Sequence, residues 1–209
     1  MQRREKRRVN LIIKLIGFLL LLLGVILITY ELSFNYVNRK LEEEYIDAYI
    51  NRYDNDGNVV NYISSKDYKN YIKSKYIAVL DIPKINLKKG LVMATDDFKS
   101  INYAISIDKN SKFPSEKGNF ILYAHAGNSK ISYFKNLNKL EIGDETKVYY
   151  LDKTYSYRVS KKYEMEKTGF LTLDETFSNQ NLVLVTCVHN TNKQLIIICT
   201  LENIYWKEW

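Results

Sequence analysis

Two stretches of this sequence decide its fold: Asn119-Phe120-Ile121-Leu122-Tyr123-Ala124-His125 and Asn181-Leu182-Val183-Leu184-Val185-Thr186-Cys187. Each is a short apolar run rich in β-branched and aromatic residues, which is typical of a buried strand. One His and one Cys therefore stand at strand ends, where a rigid scaffold can aim a side chain into a cleft. The chain contains only two His and two Cys, so few other pairings exist. This pair predicts thiol nucleophile chemistry.

Similar short runs continue from residue 76 onward and predict an all-β domain. Strands are expected at 77–82, 91–93, 119–124, 146–150, 155–163, 182–187 and 194–202. Gly, Asn and Asp separate them, and short helices are expected only at 95–101 and 133–137. A segment of this size can support one core, and closure of the sheet removes its exposed edges. We therefore expect one closed β-barrel domain over 76–209.

The N-terminal region has the features of a membrane anchor. A basic segment, 1–9, precedes an apolar stretch from Leu11 to Thr29 that only Lys14 interrupts. About 20 apolar residues span a bilayer, and Lys14 lies near enough to one end to reach the headgroups. No small-residue cleavage site follows, which favours a retained signal anchor over 10–30 rather than a cleaved signal peptide. The positive-inside rule places the tail 1–9 in the cytoplasm and the later residues outside the cell.

The net charge of +7 mostly reflects this topology. Residues 1–14 contain six Lys and Arg and one Glu, a balance of +5, which leaves +2 for residues 15–209. The part of the chain outside the cell therefore gives no argument for nucleic-acid binding, and no nucleic-acid partner is expected.

Residues 31–75 are expected to form a helical stalk or linker that lifts the barrel off the membrane. Apolar residues recur there at helical spacing to about Tyr53, and a turn signal follows at 54–58. A helix that binds a partner is the alternative interpretation. The acids of the turn resemble the start of a calcium loop, but Lys66 stands where an EF-hand requires Glu. No cofactor is expected, while calcium modulation stays open, and a second short helix is expected at 65–75.

A Cys and a His at neighbouring strand ends can carry out acyl transfer. The thiolate attacks a carbonyl carbon, and the His holds its charge or takes its proton and then protonates the leaving amine. In this chain His125 precedes Cys187 by about 60 residues. Papain-like enzymes have the opposite order and lack the barrel pattern, so they fit the sequence poorly.

At these residues the sequence resembles the sortase family, over roughly Tyr76 to Glu202. Ile82-Pro83-Lys84-Ile85 is similar to the Ile-Pro-x-Ile element of the family's first strand, and Gly118-Asn119, a strand and His125 resemble a later element. The other matches are Phe134-x-x-Leu137-x-x-Leu140-x-x-Gly143-Asp144, Tyr155-x-Tyr157-x-Val159 and Leu182-x-Leu184-Val185-Thr186-Cys187. The motifs do not decide the class of sortase and do not clearly match class B.

The resemblance implies a closed sortase-type β-barrel with short helices and a membrane-anchored cysteine transpeptidase. Sortases cut a sorting signal of the Leu-Pro-x-Thr-Gly kind between Thr and Gly, and pass the acyl group to an amine of a peptidoglycan precursor or a pilin. By this resemblance Cys187 is the nucleophile and His125 the acid and base, while Thr186 helps to shape the substrate groove. The implied partners are sorting-signal proteins, the amine acceptor and the membrane.

One position departs from the family pattern. The family has an Arg early in the strand after the Cys, and Gln194 stands at that place with Lys193 beside it. Neutral donors are roughly half as strong as charged ones, so we expect Gln194 to be a weaker substitute unless Lys193 takes its place. Arg158 is a third candidate, but its parity is opposite to that of Tyr157, and a surface role is favoured for it.

The second His and the second Cys of the chain are weaker candidates for the site. His189 shares the face of Cys187 along an extended chain, but a solvated loop position is favoured for it, and contact with substrate stays open. Cys199 alternates with apolar residues and is expected in the core. In a hairpin Cys187 and Cys199 would be about 16 Å apart, too far for a disulfide. The spacing also matches no zinc site.

Two other functions stay open from the sequence. A cysteine endopeptidase would hydrolyse the thioester instead of transferring the acyl group. A non-catalytic sortase-like barrel would only bind sorting signals or assemble pili, and Gln194 at the expected Arg position is its one support.

Overall fold

The computed structural model describes residues 2–50, 76–95, 99–168, 173 and 179–206. The chain divides into two compact units, Met1–Glu44 and Tyr45–Trp209. The expected turn at 54–58, the expected helix at 65–75 and Lys66 lie outside the described residues.

A single α-helix, α1 (Gln2–Ile50), contains the stretch predicted as an anchor and the first part of the predicted stalk. Its part Leu11–Ile50 is long and apolar enough to cross a membrane, and its most apolar window has a mean hydropathy of 3.1 with no part buried. A helix suits that environment because it satisfies every backbone hydrogen bond within the segment. The helix therefore fits a signal anchor, as expected for 10–30.

The second unit contains a closed barrel of eight strands. Their bounds are β1 (Ala78–Ile82), β2 (Leu87–Met93), β3 (Ile105–Ile107), β4 (Gly118–Tyr123), β5 (Glu145–Tyr150), β6 (Lys153–Glu166), β7 (Gln180–Cys187) and β8 (Lys193–Trp206). The order around the barrel is β1-β2-β3-β4-β7-β8-β6-β5, and β5 pairs with β1 to close it. Two neighbouring pairs are parallel, β2 with β3 and β4 with β7. The predicted closed all-β barrel is confirmed.

The middle of β7 and residues 195–199 of β8 are buried on both faces, which explains the apolar runs in these two segments. Leu182, Leu184 and Ile197 point into the main core, while Val183 and Ile196 point to a second apolar cluster on the outer face. Burial of each such side chain contributes about 1.5–3 kcal/mol. The two faces together hold the carboxyl end of β7 in a well-defined position.

The last turn of α1 belongs to the barrel unit. Ile46 and Tyr49 are buried with Tyr76, Val79 and other residues in a third apolar cluster, and the Tyr49 hydroxyl donates to the carbonyl of Ile77. This contact covers the outer face of β1 near its start.

The short strand β3 and the two short helices differ from what the sequence predicted. β3 has only three residues, too few for its sequence to show a strand period. Of the helix expected at 95–101, the described part is a 3-10 helix, Lys99–Asn102. Ser100 exchanges hydrogen bonds with Thr95, which compete with those of an α-helix. The helix expected at 133–137 is a run of turns followed by a 3-10 helix, Leu137–Lys139.

Candidate active site

The parallel pairing of β4 with β7 brings His125 and Cys187 to the same end of the barrel. The register is constant from Gly118↔Gln180 to Tyr123↔Val185, the last pair. His125 and Cys187 each lie two residues beyond that pair. Neighbouring strands are about 4.8 Å apart, so the thiol and the imidazole are carried by adjacent backbones at the same level. The structure thus brings together the two residues that the sequence paired.

Thr186 ties these two strand ends to each other. Its hydroxyl donates to the carbonyl of Ala124 at 2.8 Å, and the amide of Ala124 donates to the carbonyl of Val185 at 3.4 Å. Thr186 itself is buried, whereas Cys187 is exposed. The pairing therefore continues past the end of β4 and stops at the residues that carry the imidazole and the thiol.

The chain turns back sharply after His125. Gly127 has φ of +121°, a conformation that side chains disfavour, and the amide of Phe134 returns to donate to the carbonyl of His125 at 3.0 Å. Phe134 is buried in the main core. This loop fixes the backbone of His125 from the side opposite to β7.

Among the residues that the structure describes, the imidazole of His125 has one side-chain partner. Its Nε2 lies 3.1 Å from Oδ1 of Asn102, at the end of the 3-10 helix Lys99–Asn102. Sequence reasoning missed Asn102, because it is a single exposed polar residue with no motif around it. Only the packing of β3 against β4 brings it near His125.

Gln194 lies directly opposite Cys187 in the antiparallel pairing of β7 with β8. Opposed residues in such a pair share one face of the sheet, so the Gln194 amide and the Cys187 thiol point to the same side. Lys193 points to the other face by alternation, and its opposed residue on β6 is Glu166. Of the two candidates for the missing Arg, the geometry thus brings Gln194 to the thiol.

A cleft of about 450 Å³ adjoins Cys187. Three of the predicted site residues line it: Thr186, Cys187 and His189. Sequence reasoning missed the other wall, to which β6 contributes Lys162 and Glu164. These residues are exposed and follow the strand period, so nothing in the sequence marked them.

The ammonium of Lys162 is hydrogen-bonded within the wall of this cleft. It donates to the carbonyls of Asn138 and Leu140, at 2.6 and 2.9 Å. These carbonyls follow the turns after His125, so Lys162 joins that segment to β6.

Burial changes the acidity of one residue close to the site. Tyr123, two residues before His125, has its pKa raised to about 12, first by burial and then by the charge of the neighbouring Asp108. Tyr123 is therefore neutral near pH 7 and serves as packing in the outer cluster.

Arg158 and the second Cys lie outside the site. The exposed guanidinium of Arg158 donates to both carboxylate oxygens of Glu202, at 3.0 and 2.8 Å, and to the carbonyl of Gly143 at 2.7 Å. This confirms the surface role favoured for Arg158. Cys199 is fully buried, as expected, and burial raises the pKa of its thiol to about 12. Among the residues that the structure describes, no three His, Cys, Asp or Glu side chains converge as metal ligands.

The fold and the site define a closed β-barrel protein with an imidazole and an exposed thiol at adjacent strand ends. A family model described as Sortase domain matches residues 80–202. The chain belongs to the sortase family. It is similar to Sortase D of Bacillus subtilis (strain 168), with 29% identity over a 126-residue alignment that covers 57% of this chain and 60% of that protein. The match thus spans less than two thirds of the length of this curated relative.

Solved structures with the same fold include several sortases. A Clostridium perfringens Sortase D5 transpeptidase aligns with a TM-score of 0.57 and 22% identity, over 80% of this chain and 99% of that one. Streptococcus pneumoniae Sortase C aligns with a TM-score of 0.63 and 14% identity, over 81% and 100%. Listeria monocytogenes sortase A aligns with a TM-score of 0.57 and 18% identity, over 64% and 92%. At these identities the likeness concerns the fold.

Proposed function

We propose that this chain is a cysteine transpeptidase that cleaves a sorting signal of the Leu-Pro-x-Thr-Gly kind and transfers the acyl group to an amine. The observation that carries the proposal is the register of β4 with β7, which aligns His125 with an exposed Cys187. A nucleophile and a base on adjacent, rigid strand ends are the arrangement that covalent acyl transfer requires. Family membership supports the same chemistry.

In the first step the Cys187 sulfur attacks the carbonyl carbon of the signal's Thr, a C–S bond forms, and the C–N bond to Gly breaks. His125 takes the thiol proton and gives it to the departing amine. In the second step an amine of a peptidoglycan precursor or pilin attacks the thioester. The C–N bond forms, the C–S bond breaks, and His125 returns the amine's proton to the sulfur.

Charge develops on the carbonyl oxygen in both steps. The Gln194 amide shares the face of Cys187 and is the side-chain donor that we assign to this oxygen. Loss of one such donor costs about 3–4 kcal/mol in other enzymes. Thr186 shapes the groove floor through its bond to Ala124, and His189 lines the cleft as a substrate contact. Lys193, which the sequence also suggested as a contact, points to the opposite face of β8 and is not assigned to the groove.

The same proposal includes the position of the chain in the cell. The basic residues before Leu11 would hold the N-terminus in the cytoplasm, and the barrel would lie outside the cell, anchored by α1. A membrane-impermeant thiol reagent applied to intact cells would modify Cys187 if this orientation is correct. Modification only after the membrane is permeabilised would contradict it.

The experiment for the activity uses the full chain in detergent micelles, mixed with a panel of Leu-Pro-x-Thr-Gly-type peptides, with and without an amine acceptor. Mass spectrometry is expected to detect an acyl adduct on Cys187 that turns into amine-ligated peptide. Cys187→Ala and His125→Ala should abolish the product. Cys199→Ser, which leaves Cys187 as the single thiol, is the matched control and should retain it.

A non-catalytic sortase-like protein is the second candidate, and the neutral Gln194 is the observation that favours it. It predicts peptide binding without any adduct on Cys187. An adduct that hydrolyses at the same rate with or without the amine would instead indicate an endopeptidase. Retained transfer in Cys187→Ala would contradict the thioester mechanism.

A further inference from the structure

The contact between His125 and Asn102 bears on which imidazole nitrogen carries the proton. A neutral imidazole has one nitrogen that donates a hydrogen bond and one that accepts. The partner atom here, Oδ1 of Asn102, is a carbonyl oxygen and only accepts, at 3.1 Å from Nε2. This contact favours the tautomer in which Nε2 carries the proton and Nδ1 keeps its lone pair.

Asn102 is held in place by buried hydroxyl groups behind it. Ser100 is fully buried, and its hydroxyl accepts a hydrogen bond from the Ser106 hydroxyl of β3 at 2.6 Å and one from the amide of Thr95 at 3.3 Å. The amide of Ser100 donates to the hydroxyl of Thr95 at 3.2 Å. These bonds fix the 3-10 helix that ends at Asn102 on the barrel wall.

A second link joins the two segments directly. The Tyr133 hydroxyl, on the loop after His125, donates to the carbonyl of Tyr103, next to Asn102, at 2.9 Å. The segments that carry the imidazole and the amide are thus tied at a second point. The distance between His125 and Asn102 does not depend on their own hydrogen bond alone.

We infer that Asn102 is a positioning residue of the site, which holds His125 in the Nε2–H tautomer and leaves Nδ1 to exchange a proton with the Cys187 thiol. A base that is oriented by a third group recurs in enzymes with activated nucleophiles, and the wrong tautomer there severely lowers the rate. The consequence for catalysis rests on the proposed function, whereas the tautomer itself does not.

The tautomer is measured by nitrogen NMR on the full chain in micelles, labelled at histidine. The chain has only two His, so His189→Ala leaves the His125 ring as the single signal. We expect the Nε2–H pattern in this background, its retention in Asn102→Asp, which keeps the acceptor oxygen, and a mixture of tautomers in Asn102→Ala. The Nδ1–H pattern with Asn102 present, or no change in Asn102→Ala, would overturn the inference.

The effect on reaction is measured with the Asn102 variants in a chain that keeps His189. Loss of a hydrogen bond to a charged group corresponds to about a 10- to 100-fold change, so kcat/KM for acyl transfer should fall by that factor in Asn102→Ala, through kcat rather than KM. Asn102→Asp should restore most of the rate. Asn203→Ala, an exposed Asn on β8, is the matched control and should change nothing.

The experiments distinguish a failure of the proposed function from a failure of the inference about Asn102. If the parent chain transfers no peptide, the proposed function fails, while the tautomer spectra still decide the role of Asn102. The rate of Cys187 alkylation by iodoacetamide gives a further reading that needs no substrate, and it should fall in Asn102→Ala and recover in Asn102→Asp. An equal fall in all Asn102 variants, with lowered melting temperatures, would indicate a merely structural role and contradict the inference.

Discussion

Cys187 and Gln194 are directly opposed partners at the last pair that joins β7 to β8. Opposed residues of an antiparallel pair have Cβ atoms about 4.5–5.5 Å apart and side chains on one face. A donor at position 194 is therefore within reach of a carbonyl group bound to the Cys187 sulfur. By the resemblance in sequence an Arg is expected at this position, so under the proposed function the Gln194 amide would take the place of a cation.

Replacement of Gln194 should change the rate of acylation in both directions. Gln194→Ala removes the donor and is expected to lower kcat/KM about 100-fold, while Gln194→Arg supplies a charged donor and is expected to raise it about tenfold. Lys193→Ala, on the opposite face of β8, is the control and should have little effect. A large loss in Lys193→Ala together with a neutral Gln194→Ala would reverse the assignment.

Removal of the Thr186 hydroxyl should loosen the link between the two strand ends. Thr186→Val keeps the shape but loses the buried bond to the carbonyl of Ala124, which then lacks that partner. We expect the free energy of unfolding to fall by about 1–3 kcal/mol, measured by urea denaturation, together with a lower transfer rate. Thr200→Val removes an exposed hydroxyl bond to Ser160 and should cost less. Equal losses in the two variants would argue against a special role for Thr186.

The two thiols should react very differently with iodoacetamide. Cys187 is exposed, whereas Cys199 is fully buried and burial raises the pKa of its thiol to about 12. In the folded chain at about pH 8 only Cys187 should be alkylated, because the reactive species is an accessible thiolate. Peptide mapping by mass spectrometry measures both sites, and addition of denaturant should expose Cys199. Equal labelling of the two thiols without denaturant would contradict the burial of Cys199.

Alkaline conditions should destabilise the barrel. Burial raises the pKa of Tyr157, and it raises that of Cys199 from an ordinary value of 9.0 to about 12. From about pH 9 upward the unfolded chain loses these protons while the folded chain keeps them, so the free energy of unfolding should fall as the pH rises. This stabilisation is complete below about pH 9 and is lost as the pH approaches the folded pKa values.

The Tyr157 hydroxyl allows this explanation to be tested. It is buried and has no hydrogen-bond partner among the described residues, so Tyr157→Phe should cost little near pH 7. Urea denaturation at about pH 8 and pH 11 should then show a smaller alkaline loss than in the parent chain. Tyr205→Phe, at an exposed position, is the control and should follow the parent. An unchanged loss in Tyr157→Phe would assign the alkaline effect to other groups.

Local patterns in the sequence were sufficient to predict the barrel and the placement of His125 and Cys187 at strand ends. The apolar run before Cys187 is buried on both faces, and the run before His125 is buried on its core face and half-buried on the other. Such runs stand out in a sequence because burial favours apolar side chains at nearly every position of the strand. The position of Gln194 at the start of the next strand could also be predicted from the sequence, since only a short turn separates it from Cys187. β3 could not be predicted, because three residues do not establish a period.

By itself the sequence determined the apolar helix, the closed all-β barrel and the strand ends that carry the thiol and the imidazole, since hydrophobic periodicity is local. The tertiary structure alone decided that Gln194 and not Lys193 faces Cys187, that Lys162 and Glu164 line the adjoining cleft, and that Asn102 meets the imidazole. These relationships depend on strand register and barrel closure. Both arise from pairing between residues far apart in the chain, which leaves no periodic signal in the sequence around any one of them.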